Sequence, residues 1–264
     1  MKKLLGILSV GILLASCEKK TTVAVNLGDK NDSTATVKEF VVDSVRVNDS
    51  LVVSKNLTSV FNKQVLVFPS ITNKTVLDSI YSNAMVKSST YDAAGLKTAL
   101  EQDMKQNFDK TKQDIKEFSP SFKQTWDDTS AMKVISNNDN LLTLQYTGSG
   151  YTGGAHGYYF ENYKTFDLQT NKVISQNDIF KNPNDPAWSA ILMNHFTNKD
   201  QKEMLLVDKI PLNNNFYFDN QKITFVYNQY EVAAYAAGVV PISLKFSEIK
   251  DKLKPEFLKR LKLE

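Results

Sequence analysis

Three side chains set the limits of imidazole and thiol chemistry in this sequence: His156 and His195 are its two histidines and Cys17 its one cysteine. A protein-held zinc needs three or four ligands, and no His-Glu-x-x-His pair occurs, so no metal is expected. A Ser-His-Asp hydrolase would have to recruit His156 with Asp127 or Asp167, and there is no Gly-x-Ser-x-Gly elbow to present the serine. The adjacent carboxylates Asp127 and Asp128 read as a solvated turn more readily than as a glycosidase pair, although sequence spacing does not report spacing in space. His195 stands among Ile191, Leu192 and Phe196, a packing position. Neither a phosphate-cradling loop nor a dinucleotide fingerprint is present. The expectation is therefore no catalytic residue and no cofactor, with an envelope hydrolase using His156 as general base, or a structural envelope component, as the alternatives.

Two stretches carry the remaining chemistry. The first is Tyr151-Thr152-Gly153-Gly154-Ala155-His156-Gly157-Tyr158. The second is Tyr227-Asn228-Gln229-Tyr230-Glu231-Val232-Ala233-Ala234-Tyr235-Ala236-Ala237-Gly238. Gly153 and Gly154 permit positive φ or close backbone approach. The flanking aromatics can stack on a sugar or on a partner side chain, and His156 can hydrogen-bond a ligand. The competing reading is a tight turn or bulge in which His156 bonds a neighbouring carbonyl. The small residues 233–238 invite something large to pack over them, either the chain's own elements or a partner. Tyr151, Gly153, Gly154, His156, Tyr158, Tyr230 and Tyr235 are the candidate ligand-binding residues.

The N-terminus speaks to location. Lys2 and Lys3 precede an uncharged run, Leu4 to Leu14, of secretory length and too short for a bilayer span of roughly 20 apolar residues. Leu14-Ala15-Ser16-Cys17 resembles the lipobox of bacterial lipoproteins. Residues 1–16 are expected to be a signal peptide, with lipid on Cys17 as the membrane anchor and the polar stretch 17–36 as a tether. No disulfide can form, so a packed core must stabilise the exported part. Val232 to Leu244, the longest weakly charged later run, is too short to span. Lys and Arg number 32 against 29 Asp and Glu, a net of +3 that falls to +1 once Lys2 and Lys3 are removed. That balance argues against nucleic acid as a partner. Glu18-Lys19-Lys20 lacks an acidic run, which favours the periplasmic face of an outer membrane.

The elements that must position these residues are mixed. Phe40, Val42, Val45 and Val47, then Val65, Val67 and Phe68, lie in partly alternating β-branched runs that read as strands. Leu96, Leu100, Met104, Phe108, Ile115 and Phe118 form one stripe of a helix over about 92–118, stopped by Pro120. Residues 132–135 and 141–146 flank the turn Asn137–Asn140, residues 158–168 form a strand, and 216–218 and 223–227 flank a second turn. A second amphipathic helix is expected over about 186–206, a last strand over 241–246, and Ser247–Lys250 is placed to cap a short helix before Pro255. The fold class is α+β: antiparallel sheets packed with two main amphipathic helices, in two intimately associated subdomains, 37–130 and 131–264, joined near Ser119–Thr129.

On the two motifs together, residues 131–250 resemble the C-terminal extracytoplasmic domain of RsiV-type anti-sigma factors, which carries Tyr-…-Gly-Gly-Ala-His-Gly and a later Tyr-x-x-Tyr-Glu-(Ile/Val)-Ala-x-Tyr-Ala-x-Gly run. Residues 37–130 are similar, more weakly, to the domain paired with it and found at the N-terminus of PdaC-type peptidoglycan deacetylases. The resemblance implies an extracytoplasmic binding fold whose anti-sigma members bind lysozyme. A transmembrane helix, a sigma-binding segment and a deacetylase catalytic domain have no counterpart in these residues, so sigma control and deacetylation are not expected to carry over. The expected ligand is a glycan, a peptidoglycan fragment or a protein such as lysozyme.

Overall fold

The computed structural model describes residues 40–117 and 119–263; the expected signal peptide, Cys17, the tether and Phe118 lie outside them. The chain enters as a hairpin of β1 (Asp43–Ser54) and β2 (Leu57–Val67). Alternation sets its two faces: Val45 and Val47 are buried while Arg46 and Asn48, each one step further on, are exposed. Two helices follow, α1 (Lys74–Asn83) and α2 (Ala93–Glu117). The first was not legible as periodicity; Asn73 caps it by accepting from the Val76 N–H at 3.1 Å. The second matches its apolar stripe, with Leu96, Leu100 and Phe108 buried.

After Pro120 the chain returns as β3 (Gln124–Asn138), β4 (Leu141–Tyr151), β5 (Tyr158–Asp167) and the short β6 (Lys172–Val173), giving a six-stranded sheet in the order β1-β2-β3-β4-β5-β6. One pairing departs from the antiparallel expectation. β2 and β3 run parallel, because the helices between them carry the chain back across the sheet before it re-enters. The turn joining β3 to β4 is the expected one, with Asp139 and Asn140 at φ 51° and 63°, values that Asp and Asn tolerate and a two-residue hairpin requires. Phe61, Val65, Met132, Leu144 and Tyr146 face the helices and form the first core. β3 runs through residues 130 and 131, where the sequence expectation divides the chain, and this sheet continues to Val173.

The remaining residues build a second core on a three-stranded antiparallel sheet. Its helices are α3 (Gln176–Ile179), α4 (Ala187–His195), α5 (Lys199–Glu203) and α6 (Pro255–Arg260), and its strands β7 (Phe216–Phe218), β8 (Lys222–Tyr227) and β9 (Val240–Lys245). The single helix expected over 186–206 is broken into α4 and α5. Asn198 sits extended between them and caps α5 by accepting from the Gln201 N–H, a local bond that competes with continuing the helix. The expected helix before Pro255 is two 3-10 turns, Phe246–Glu248 and Lys250–Lys252; the helix starts at Pro255, where a missing N–H costs nothing.

The two sheets meet along the outer edge of β5. That edge pairs with β6 only at Phe166 and Asp167. The outward N–H groups of Tyr159, Glu161 and Tyr163 donate instead to amide side chains of the second sheet's loops: Gln229 Oε1 at 3.0 Å, Asn228 Oδ1 at 2.8 Å and Asn215 Oδ1 at 2.7 Å. Asn215 Nδ2 donates back to the Glu161 carbonyl at 2.8 Å. Three amides thus do for this edge what a seventh strand would do, and no row of open donors is left there.

Candidate functional site

The loop between β4 and β5 is the first motif. Gly153 and Gly154 both have φ near +90°, at 93° and 92°. Gly157 is held by a close approach: a Cβ there would stand 2.5 Å from the Gly150 carbonyl oxygen, so only glycine fits. Tyr151 Oη donates to the Gly154 carbonyl at 3.1 Å and ties the loop to the end of β4.

The second motif is a turn followed by a 3-10 turn at Tyr235–Ala237. Tyr230 has φ 66° and is 57% exposed, so its ring projects from the surface. Gln201 donates to the carbonyls of Ala237 at 2.8 Å and Val239 at 2.9 Å, fixing the segment to α5. Ala233 and Ala237 are buried in the second core, covered by the chain itself, while Ala234 and Gly238 are half-buried and Ala236 is exposed.

The two motifs touch. The His156 ring stacks on Tyr235 with centroids 3.9 Å apart and planes 25° from parallel. His156 Nε2 lies 3.2 Å from Tyr230 Oη, and Nδ1 lies 2.9 Å from the Gly157 carbonyl. A carbonyl only accepts, so Nδ1 carries a proton, and in the neutral ring Nε2 accepts from the phenol. Both ring nitrogens are occupied, neither by a carboxylate. Of the suggested acid partners, Asp167 is buried and accepts from the N–H groups of Gln169 and Thr170 as a turn cap, at 2.9 and 3.3 Å. His156 thus bonds a neighbouring carbonyl, as the turn reading expects, and also joins an exposed aromatic cluster.

Tyr158 is not part of that cluster. It opens β5, where its ring covers Gly150 and lies parallel to Phe160 at 6.4 Å. Burial, and then the Asp128 carboxylate, pushes its phenol above the ordinary range. Nearby is a cluster that sequence reasoning missed. Lys63 Nζ lies 2.9 Å from carboxylate oxygens of both Asp103 on α2 and Asp128 on β3, and Asn107 donates to Asp128 at 3.2 Å. Burial alone would push the Lys63 ammonium down; the hydrogen bonds and charges of Asp103 and Asp128 outweigh it and hold it above the usual lysine range. Burial, with the neighbouring Asp128, raises Asp127.

A second missed group lies next to the aromatic cluster, on β5. Tyr159 and Tyr163 donate to the two oxygens of Glu161 at 2.7 and 2.8 Å, and Gln145 donates to Tyr163 Oη at 2.7 Å. Burial and the Glu161 carboxylate push the Tyr159 phenol to about 12. Alternation on β5 was the one signal that put these residues on a common face. His195 bonds the Ile191 carbonyl at 2.8 Å and Glu248 at 3.2 Å, joining α4 to the turn after β9. Among the described residues, no group of three or more His, Cys, Asp or Glu is arranged to hold a metal, and no helix is long and apolar enough to cross a membrane.

Comparison with known proteins divides the chain in two. Residues 53–159 match the family described as deacetylase PdaC, and residues 177–247 match a protein family of unknown function, DUF3298. The first motif falls in the first range and the second in the other. The peptidoglycan-N-acetylmuramic acid deacetylase PdaC of Bacillus subtilis (strain 168) is 25% identical over 139 residues, 49% of this chain and 30% of that protein. The chain thus spans about a third of its curated relative. A crystal structure of a DUF3298 family member from Bacteroides fragilis NCTC 9343 superposes with a TM-score of 0.70 at 23% identity, covering 85% of this chain and 98% of that one. A second, from Pseudomonas aeruginosa PAO1, gives 0.56 at 18% identity, covering 83% and 96%. At these identities the structures establish the fold.

Proposed function

We propose that this chain is a non-catalytic cell-envelope binding module, held on a membrane by lipid on Cys17, whose ligand is a glycan of the peptidoglycan type. The observation that carries this reading is the exposed aromatic cluster in which His156, Tyr235 and Tyr230 from two separate motifs meet. Stacked aromatic rings with flanking phenol and amide donors suit the apolar face and hydroxyls of a sugar. Binding is favoured over hydrolysis because the His156 lone pair is already occupied by a phenol and no carboxylate orients the ring. The relative's name concerns peptidoglycan, which agrees with a wall polymer as ligand.

Calorimetry of the full chain with soluble peptidoglycan fragments and, separately, with lysozyme tests this. The expected result is saturable binding of the fragments with no product formed. Tyr230→Ala should weaken it by about tenfold, as loss of an aromatic contact worth roughly 1 kcal/mol and its hydrogen bond implies, at unchanged melting temperature. Saturable binding of lysozyme alone would transfer the site to a protein ligand. A product whose formation stops in His156→Ala would replace binding by hydrolysis.

A further inference from the structure

A cavity of about 610 Å³ lies in the second sheet's half of the molecule, apart from the residues of the aromatic cluster. Three exposed lysines line it: Lys222 at the start of β8, Lys245 at the end of β9 and Lys250 in the following 3-10 turn. Phe246, Leu258 and Leu263 supply its apolar lining, and among the described residues none of those lining it carries a carboxylate.

The register makes this arrangement unusual. Lys222 and Lys245 are direct partners across β8 and β9, so two ammonium groups stand opposite each other on one face. Like charges so placed cost stability unless an anion is shared between them. The neighbouring cavity, of about 430 Å³, provides the contrast. It too is lined by cations, but Arg260 lies 3.6 Å from Asp167 and Lys262 3.3 Å from Asp139, so the protein supplies the anions. In the lysine cavity the one such contact among the described residues is Lys245 with Glu248 at 3.8 Å, and Glu248 is also bonded to His195.

We infer that this cavity binds a phosphate ester carried on an apolar chain, the headgroup of an acidic lipid. Compact ammonium groups on flexible stems receive a phosphate as point charges. The Phe246, Leu258 and Leu263 side takes the first part of the chain. The volume falls within the range of small-molecule sites, roughly 300–1,000 Å³.

Calorimetry of the full chain with short-chain phosphatidic acid, below the concentration at which it forms micelles, tests the inference. Inorganic phosphate and short-chain phosphatidylcholine are the controls. Phosphatidic acid should bind saturably, at least tenfold tighter than either control, and more weakly as salt rises. The double variant Lys222→Gln/Lys250→Gln should lose at least tenfold in affinity, while its urea midpoint stays level or rises because a like-charge pair is gone. If the double variant fails to fold, Lys250→Gln alone, on an exposed turn, is used. Absence of saturable binding, equal affinity for inorganic phosphate or phosphatidylcholine, or undiminished binding by the variant would each overturn the assignment.

Discussion

Replacing Lys63 by methionine should cost the fold about 2–3 kcal/mol. The substitution keeps an unbranched apolar stem and removes the ammonium, which also lies 5.0 Å from the Phe61 ring centroid. That ammonium makes two contacts of 2.9 Å, and the Lys63 side chain is 13% exposed. A hydrogen bond to a charged group contributes about 1.5–3 kcal/mol net when sheltered. The bond to Asp128, 23% exposed, belongs near that range; the bond to Asp103, 39% exposed, is worth about 1 kcal/mol or less. After the substitution Asp128 keeps Asn107 as a donor, which limits the loss. For a fold of this size the change corresponds to roughly 5–10 °C in melting temperature. The assay is urea unfolding followed by tryptophan fluorescence, with Trp126 on β3 and Trp188 in the second core.

A double-mutant cycle with Asp128→Asn then isolates the pair. Asp128→Asn should cost clearly less in the Lys63→Met background than in the wild type. Costs that add within about 0.5 kcal/mol would refute the ion pair as the source of stability. The pH dependence gives a second check. The folded-state value of Lys63 lies above the ordinary 10.5, so its contribution is fully present below that value and is lost only as pH rises through the higher one. The gap between wild type and variant should be flat through neutral pH and close in strong alkali.

Asn215→Ala leaves the Tyr163 N–H and the Glu161 carbonyl without their partner, and should lower the urea-derived stability by about 1–3 kcal/mol. Asp127→Asn should behave oppositely. Its carboxyl is held above 3.8 in the folded state, so ionising it disfavours folding as pH rises; the variant should gain slightly at neutral pH and lose that gain below 3.8, read as the shift in urea midpoint. Gly157→Ala would push a Cβ against the Gly150 carbonyl and displace the loop, so the ring-current shift that Tyr235 imposes on the His156 imidazole protons should disappear from the proton NMR spectrum while the melting of the second core persists. Tyr146 Oη is buried with no partner among the described residues, so Tyr146→Phe should leave stability unchanged or raise it by about 1 kcal/mol in the same urea assay.

What could be read without coordinates was what depends on neighbours along the chain. The stripe Leu96-Leu100-Met104-Phe108 specified α2 because residues three and four apart share a helix face whatever surrounds them. Asn137–Asn140 specified a hairpin because Asp139 and Asn140 tolerate positive φ. The glycines and tyrosines of the two motifs were recognisable as candidates for the same local reason. Tertiary structure alone decided which of them meet. His156 and Tyr230 are 74 residues apart in sequence, and Tyr158, two residues from His156, instead lays its ring over Gly150. The partners of Lys63 arrive from α2 and from a strand laid parallel to its own by an intervening crossover. Such contacts depend on register and on the path between elements, which the packing of whole faces fixes, and no residue's type or spacing encodes them by itself.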